Sequence, residues 1–376
     1  MVVWVTAVEV RTRLPTCLLS LAAAWAGISG LAPSASAGTP HGFFGVVSVL
    51  SSKSDAGRMK KAHVGSLRTA MYWPAIQPTQ GGSYDWSAVD NAVGLAAQEH
   101  ISVLPILTGT PSYEAPGCTS PKCPKRIQLA NKGQRRDWTA FVRAAVQRYG
   151  RNGAFWQQNP SLPSMPIKRW QIWNEESNPA QHNSVGVYSK LVTLSDRAIS
   201  SVDSHGKVML GGMAGVTHGP KSSAAWNYLA RLYKTGARKH IGAVALHPYS
   251  PTVSGIAAQL KRIHNVLKSK HAASTPTYVT EIGWGSGGKK HGGTGSRGQA
   301  FVVTPKGQKK RLTSSFKLLL HNRKRWHIGG VYWYQWKDPQ NPPAGLCAFC
   351  YSSGLYKANG TTAKPALSAY RRLASH

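Results

Sequence analysis

Short apolar segments alternate with stretches of helical length from Gly42 to the end of the chain. Several of these segments are continuously hydrophobic, which is typical of strands that helices cover outside and that pack inside a barrel. This alternation predicts a parallel sheet wrapped by helices. The predicted strands are Gly42–Val49, Leu67–Trp73, Ser102–Leu107, Arg169–Trp173, Lys207–Leu210, Ala243–Leu246, Thr277–Glu281 and Gly329–Trp336.

The connecting segments are long enough for helices. The predicted helices are Ala88–Glu99, Asp137–Tyr149, Val185–Val202, Ser223–Thr235, Ile256–Ser269, Ser314–Trp326 and Pro365–Leu373. The first crossover, Ser51–Val64, is weakly patterned, so we expect it to be only partly helical. The polar segments Cys118–Gly133 and Gly285–Arg297 are predicted as long loops. Eight strands joined in this way predict an α/β fold, a single (β/α)8 TIM barrel.

A doubly wound open sheet is the alternative fold. That fold would carry a glycine-rich phosphate loop after an early strand, and neither G-x-G-x-x-G before a helix nor G-x-x-x-x-G-K-[ST] occurs here. The barrel is therefore favoured, and we expect no cofactor and no metal.

The N-terminus predicts a secretory signal peptide over residues 1–37, followed by the barrel domain over residues 38–376. Arg11 and Arg13 precede an apolar run from Leu14 to about Leu31, and Ala35-Ser36-Ala37 provides a small-x-small cleavage site. A retained anchor is the alternative, but prolines and glycines interrupt the run. No later stretch approaches about 18 uninterrupted apolar residues, so we expect a secreted protein without a further membrane span.

Four cysteines remain after the predicted cleavage, in two close pairs. Four cysteines allow three connectivities, among which the sequence does not choose. Local pairing of Cys118 with Cys123 and of Cys347 with Cys350 is the simplest scheme, and each bridge would hold one short loop. A zinc site with four thiolates is the alternative, and the oxidising compartment disfavours it.

The chain is strongly basic, with 46 Lys and Arg against 13 Asp and Glu. Without Glu9, Arg11 and Arg13, the predicted mature chain carries a net charge of +32. Such a field attracts polyanions, including acidic polysaccharides, although a basic surface without a dedicated partner is an equal alternative. No zinc-finger, KH or RRM signature accompanies the charge, so we expect no nucleic-acid partner.

Two predicted strands end in glutamates. The fourth ends in Trp170–Glu175. The seventh ends in Tyr278–Trp284, a segment that contains Glu281. Catalytic groups of parallel barrels project from the carboxyl ends of the strands, so Glu175 and Glu281 are predicted to share one rim. Each could instead pair with a barrel arginine, but two carboxylates at one rim are what glycosidic cleavage requires.

These motifs resemble the clan A glycoside hydrolases, and most closely the family 39 and family 5 barrels, over nearly all of Gly42–Leu373. The resemblance implies that Glu175 is the acid/base, that Asn174 holds the sugar 2-hydroxyl and that Glu281 is the nucleophile. It also implies that Arg68 lies near Glu281, and that the segment of His247 and Tyr249 positions this nucleophile. Trp336 matches the aromatic residue under the sugar.

The chain departs from the family pattern at one position. Where the family has Asn-Glu-Pro, this chain has Asn174-Glu175-Glu176, and the strand pattern favours Glu175 as the inward residue. Trp73 and Trp284 are further candidates for stacking on sugar rings.

The sequence therefore predicts a secreted, monomeric retaining O-glycosidase acting on an oligo- or polysaccharide, possibly an anionic one. A transglycosylase using the same residues, and a non-catalytic barrel that binds carbohydrate or cell wall, are the alternatives.

Overall fold

Parallel strands close into a barrel in a computed structural model, which describes residues 39–118, 125–181, 183–215, 224–287, 298–342 and 347–375. Within these ranges the sheet has the order β5-β4-β3-β2-β1-β9-β8-β7-β6. The strands are β1 Phe44–Val47, β2 Ser66–Tyr72, β3 Ser102–Thr108, β4 Arg169–Ile172, β5 Lys207–Leu210, β6 Met213–Ala214, β7 Val244–His247, β8 Thr277–Ile282 and β9 Ile328–Tyr334.

The barrel closes between β5 and the residue before β7. Met209 forms a parallel bridge with Ala243, and the Leu210 amide donates to the Ala243 carbonyl at 3.0 Å. The short strand β6 pairs with β7, so β5 and β6 are two parts of one barrel strand, interrupted at Gly211 and Gly212. The prediction of a (β/α)8 barrel with eight strand positions is thus confirmed.

Helices connect the strands outside the barrel. They are α1 Lys53–Lys61, α2 Trp73–Ile76, α3 Ser87–Gln98, α4 Lys132–Tyr149, α5 Ala154–Gln158, α6 Val185–Ser200, α7 Ala225–Leu232, α8 Val253–Ser269, α9 Pro305–His321 and α10 Pro365–Ala374. None of the helices in the described ranges is long and apolar enough to cross a membrane. The predicted signal peptide lies outside the described residues.

Polar caps fix where several helices begin. The Asn131 side chain accepts from the Gln134 backbone amide, and the Gln134 side chain accepts from the Asn131 backbone amide. With this reciprocal cap, α4 begins five residues before the predicted start. Thr304 caps α9, and Pro305 occupies its first turn, so this helix begins nine residues earlier than predicted.

Candidate active site

A cleft of about 760 Å³ lies at the carboxyl ends of the strands. Arg68 from β2, Asn174 and Glu175 after β4, and Glu281 from β8 all line it. His247, the last residue of β7, lies directly beneath, in contact with both glutamates. The structure therefore brings together the polar residues that the sequence predicted for the site.

Glu281 is held by two donors from different strands. Arg68 Nη1 donates to Glu281 Oε1 at 2.6 Å, and the Tyr249 hydroxyl donates to Oε2 at 2.9 Å. Charge-assisted bonds of this kind stabilise a carboxylate and fix its orientation. The positions of Arg68 and Tyr249 beside Glu281 agree with their predicted roles.

Arg68 also organises the rest of the strand ends. Its buried guanidinium donates through Nε to Gln171 Oε1 at 2.6 Å and through Nη2 to Asn174 Oδ1 at 2.8 Å. Because the carbonyl oxygen of Asn174 accepts from Arg68, its amide nitrogen remains available to donate towards the cleft.

Glu175 is held from a tight turn. Its backbone has a φ of 49°, in the left-handed region that few non-glycine residues adopt, and its amide donates to the Gly211 carbonyl at 3.0 Å. Its side-chain Oε1 lies 3.1 Å from His247 Nδ1, and its Oε2 accepts from Asn178 Nδ2 at 3.0 Å.

His247 faces both glutamates with the same nitrogen. Its Nδ1 lies 3.1 Å from Glu175 Oε1 and 3.6 Å from Glu281 Oε2. One atom from each of these three side chains lies within 4.8 Å of the others. A cation could use such a donor set, but the guanidinium of Arg68 already binds Glu281 there and would repel it.

The surroundings of Glu175 have opposite effects on the pKa of its carboxyl. Burial acts to raise the pKa of its carboxyl, whereas the hydrogen bond and charge of His247 act to lower it, with help from Asn178. The lowering contributions together outweigh burial, so the pKa of Glu175 lies below its ordinary value.

Glu176 has a different environment from Glu175. It is completely buried behind Gly211, where a Cβ on that glycine would lie 2.5 Å from Glu176 Oε2. Burial, together with the nearby Glu175 charge, raises the pKa of Glu176 to about 8. Since Glu175 lines the cleft and Glu176 does not, the predicted strand pattern is supported.

The sugar-stacking role predicted for three tryptophans is wrong, because all three are buried. Trp73, Trp284 and Trp336 are 3%, 1% and 0% exposed. Trp73 stacks on Phe141, Trp284 donates to the Ser250 carbonyl, and Trp336 donates to Asp55 on α1. Their rings stabilise the core and are not available to a ligand.

Other residues take the apolar positions of the cleft. Tyr72 and Val49 line it and are 41% and 76% exposed, and Tyr334 at the end of β9 lies where Trp336 was expected. Lys125 and Asn178 also line the cleft. Sequence reasoning missed these residues, although the last residues of β2 and β9 were a usable signal for Tyr72 and Tyr334.

The predicted Cys347–Cys350 disulfide is present, with a Cα–Cα distance of 5.2 Å. Between the two cysteines, Phe349 packs on Tyr249 with a ring-centroid distance of 4.9 Å. This loop therefore supports a residue that binds Glu281. Cys123 lies outside the described residues, so its pairing with Cys118 stays a prediction.

A family profile matches part of the chain. The sequence profile of glycoside hydrolase family 42, described as beta-galactosidase, matches residues 48–149. No curated protein sequence matches the chain.

Solved structures share the fold along most of the chain. A family 39 glycoside hydrolase from Bacteroides cellulosilyticus WH2 is similar with a TM-score of 0.66 and 16% identity, covering 89% of this chain and 63% of that one. A monomeric beta-xylosidase from Caulobacter crescentus CB15 has a TM-score of 0.62 and 16% identity, covering 89% and 68%. A GH5_18 protein from Streptomyces cattleya, in complex with GlcNAc, has a TM-score of 0.63 and 14% identity, covering 88% and 79%.

The chain thus spans 63% of the first of these proteins and somewhat more of the others. Both comparisons thus point to glycoside hydrolases as proteins that this chain resembles.

Proposed function

We propose that this chain is a clan A glycoside hydrolase, a secreted retaining O-glycosidase that cleaves an oligo- or polysaccharide by double displacement, with Glu281 as nucleophile and Glu175 as acid/base. The observation that carries the proposal is the approach of the two carboxyls, which bring one oxygen each within 4.8 Å of the other. Retaining glycosidases hold their carboxyls about 5–5.5 Å apart, whereas inverting enzymes need about 6.5–9.5 Å to admit a water.

In the first step, Glu175 gives its proton to the oxygen of the leaving group as the glycosidic C–O bond breaks. A Glu281 oxygen forms the new bond to the anomeric carbon, which gives a covalent glycosyl-enzyme. Arg68 and Tyr249 support this step because both bind Glu281 and keep its carboxylate oriented.

In the second step, Glu175 takes a proton from water, and the water oxygen displaces Glu281 from the anomeric carbon. Asn174 is placed to donate its amide to the sugar, since Arg68 already occupies its carbonyl oxygen. His247 Nδ1 touches both carboxyls, at 3.1 Å from Glu175 and 3.6 Å from Glu281, and these contacts help to fix the two groups relative to each other.

The names of the similar proteins suggest which sugars to test first: galactosides and xylosides. Hydrolysis of aryl glycosides of these sugars is expected for the wild type and should be lost in Glu281→Gln. Glu176→Gln is the matched control, since it changes the adjacent, buried glutamate in the same way and should stay active. An active Glu281→Gln variant would refute the proposal.

Export is proposed from the N-terminal sequence alone. The secreted protein should begin at Gly38, which intact mass measurement of the culture supernatant checks. One similar structure is of a monomeric enzyme, and a monomer is proposed here.

A further inference from the structure

Positive charge is distributed unevenly along the chain. Residues 204–376 hold 26 of the 46 lysines and arginines but only two of the 13 acidic residues, Glu281 and Asp338. Both carboxylates are already occupied, Glu281 by Arg68 and Asp338 by Lys364 at 2.6 Å. Neither is therefore available to neutralise the surface of this half of the barrel.

Part of this excess charge lies on two neighbouring helices. Their exposed lysines are Lys261 and Lys268 on α8, and Lys306, Lys310 and Lys317 on α9, with Lys324 in the following turn. We call these six residues the basic wall. Helices α8 and α9 contact each other along the outside of the barrel, so the six charges belong to one flank.

The spacing of these lysines places them in stripes. Lys261 and Lys268 are seven residues apart, as are Lys310 and Lys317, and residues at this spacing share one helix face. Lys306 precedes Lys310 by one turn. From Lys306 to Lys317 the stripe is about 16 Å long, at about 1.5 Å per residue.

The basic wall lacks local counter-charge. No ion pair within the described ranges joins any of its six lysines to a carboxylate. Like charges on adjacent helices repel one another, and a bound polyanion would relieve this repulsion. The surface therefore favours a ligand with many negative charges along its length over a single anion.

The direction of α9 relates the basic wall to the cleft. In a (β/α)8 barrel the helices run antiparallel to the strands, so the first turn of α9 lies towards the rim where the strands end. Lys306 is thus at the end of the stripe nearer the catalytic rim, and Lys317 is farther from it. A linear polymer on the flank leaves the cleft open and can extend towards it.

We propose that the basic wall binds an acidic polysaccharide and holds the enzyme on this polymer, outside the catalytic cleft. The choice of a polysaccharide among polyanions rests on the proposed glycosidase function, while the binding surface itself rests on the charge distribution.

Charge reversal tests the proposal. The wall variant is Lys261→Glu, Lys268→Glu, Lys310→Glu and Lys317→Glu. The matched control makes the same change in charge at Lys61→Glu, Lys132→Glu, Arg143→Glu and Arg197→Glu, which are exposed positions on α1, α4 and α6. Both are made on Glu281→Gln, and affinity for polygalacturonate is measured by calorimetry at low and physiological salt, with dextran as the uncharged polymer.

The wall variant should bind polygalacturonate at least about tenfold more weakly, because each lost surface charge contributes modestly and reversal adds repulsion. The control should lose less than about threefold, and binding by the unsubstituted wall should weaken with salt. Equal losses in both variants would refute a local site, and so would tighter binding of duplex DNA than of polygalacturonate.

Two further measurements complete the test. Replacing the same four lysines by glutamine removes charge without reversing it. This variant should lose less affinity than the glutamate variant but more than the control, and it replaces the glutamate variant if that variant does not fold. In the background with Glu281 intact, the wall variant should cleave a small aryl glycoside as the wild type does. Loss of polymer binding with intact cleavage supports the wall, whereas absent cleavage in the wild type would refute the proposed function alone.

Discussion

The state of Glu175 is set by a neighbour that also touches Glu281. His247 Nδ1 lies 3.1 Å from Glu175 Oε1, and its hydrogen bond and charge act to lower the pKa of this carboxyl against the effect of burial. A general acid works only while protonated, so cleavage that depends on protonation is lost as the pH rises through the pKa of Glu175. A lowered pKa places this loss in the acidic range.

His247→Asn should therefore raise the pKa of Glu175 and move the alkaline limb of kcat/KM to higher pH. The measurement is the pH profile for an aryl glycoside with a poor leaving group, which requires proton donation. His264→Asn, on α8 outside the cleft, is the control and should leave the profile in place. A limb that stays where it is, or moves to lower pH, would show that His247 does not control this proton.

Glu176 gives a prediction for stability. Its pKa is about 8 in the folded chain and about 4.5 when exposed, so the folded state keeps a proton that the unfolded state loses as pH rises between these values. The stability that this group contributes is fully present below about pH 4.5. It is lost as the pH rises from there to about 8, at up to about 1.4 kcal/mol per pH unit.

Glu176→Gln should remove this loss, because the amide stays neutral in both states. Denaturant unfolding at pH 5 and pH 8 should show the variant gaining stability over the wild type only at the higher pH. An equal difference at both pH values would mean that the buried carboxyl is not protonated.

The sequence predicted the charged residues of the site better than its aromatic ones. Arg68 and Glu281 lie on strands, where alternation along the strand decides which side chains point inwards, and Glu175 lies just after β4. Trp336 follows β9, and its direction depends on the Asp55 carboxylate that accepts its indole N–H. Such a contact joins residues 281 positions apart, and no local pattern contains it.

At the scale of elements, the interruption between β5 and β6 makes room for the site. Gly212 has a φ of 82°, and a Cβ there would lie only 2.2 Å from His247 Nε2. The adjacent Gly211 lies against Glu176 in the same way. Two glycines thus let one barrel strand pass directly against the buried side chains beneath the cleft.

Gly212→Ala should lower the free energy of unfolding by about 2–5 kcal/mol and displace His247, because it combines backbone strain with overpacking. Gly81→Ala is the matched control, since Gly81 has a φ of 70° with nothing within 4 Å of the added Cβ, and it should cost only about 1–2 kcal/mol. Denaturant unfolding and kcat/KM of both variants provide the check. Equal losses of stability in the two variants would indicate that the His247 side chain moves away from the added methyl group at little cost.

Strand positions followed from the sequence more closely than helix ends did. The predicted strand Lys207–Leu210 is the observed β5, because its last three residues are apolar and buried, as in strands that helices cover. The first turns of α4 and α9 contain several polar and basic residues, which hid helices whose beginnings depend on the caps at Asn131 and Thr304.

At the scale of the whole molecule, the alternation of strands and helices sufficed to predict the barrel. The shape of the cleft was not predictable, because it depends on which side chains the loops expose, as with Tyr72 and Lys125. The net charge was evident from composition, whereas the position of the basic wall on one flank required the arrangement of α8 and α9 around the barrel.

Glu175 and Glu281 are proposed to act from opposite sides of the sugar, as acid/base and as nucleophile. Glu175→Ala should still form the covalent intermediate from an activated aryl glycoside, which needs little proton donation. Added azide needs no general base, so it should restore turnover of this variant. In Glu281→Ala, azide can attack only from the side that the nucleophile has vacated.

The most direct measurement is the configuration of the glycosyl azide that each variant forms, determined by proton NMR. We expect retained configuration from Glu175→Ala and inverted configuration from Glu281→Ala. Inverted azide from Glu175→Ala, or retained azide from Glu281→Ala, would refute this division of roles.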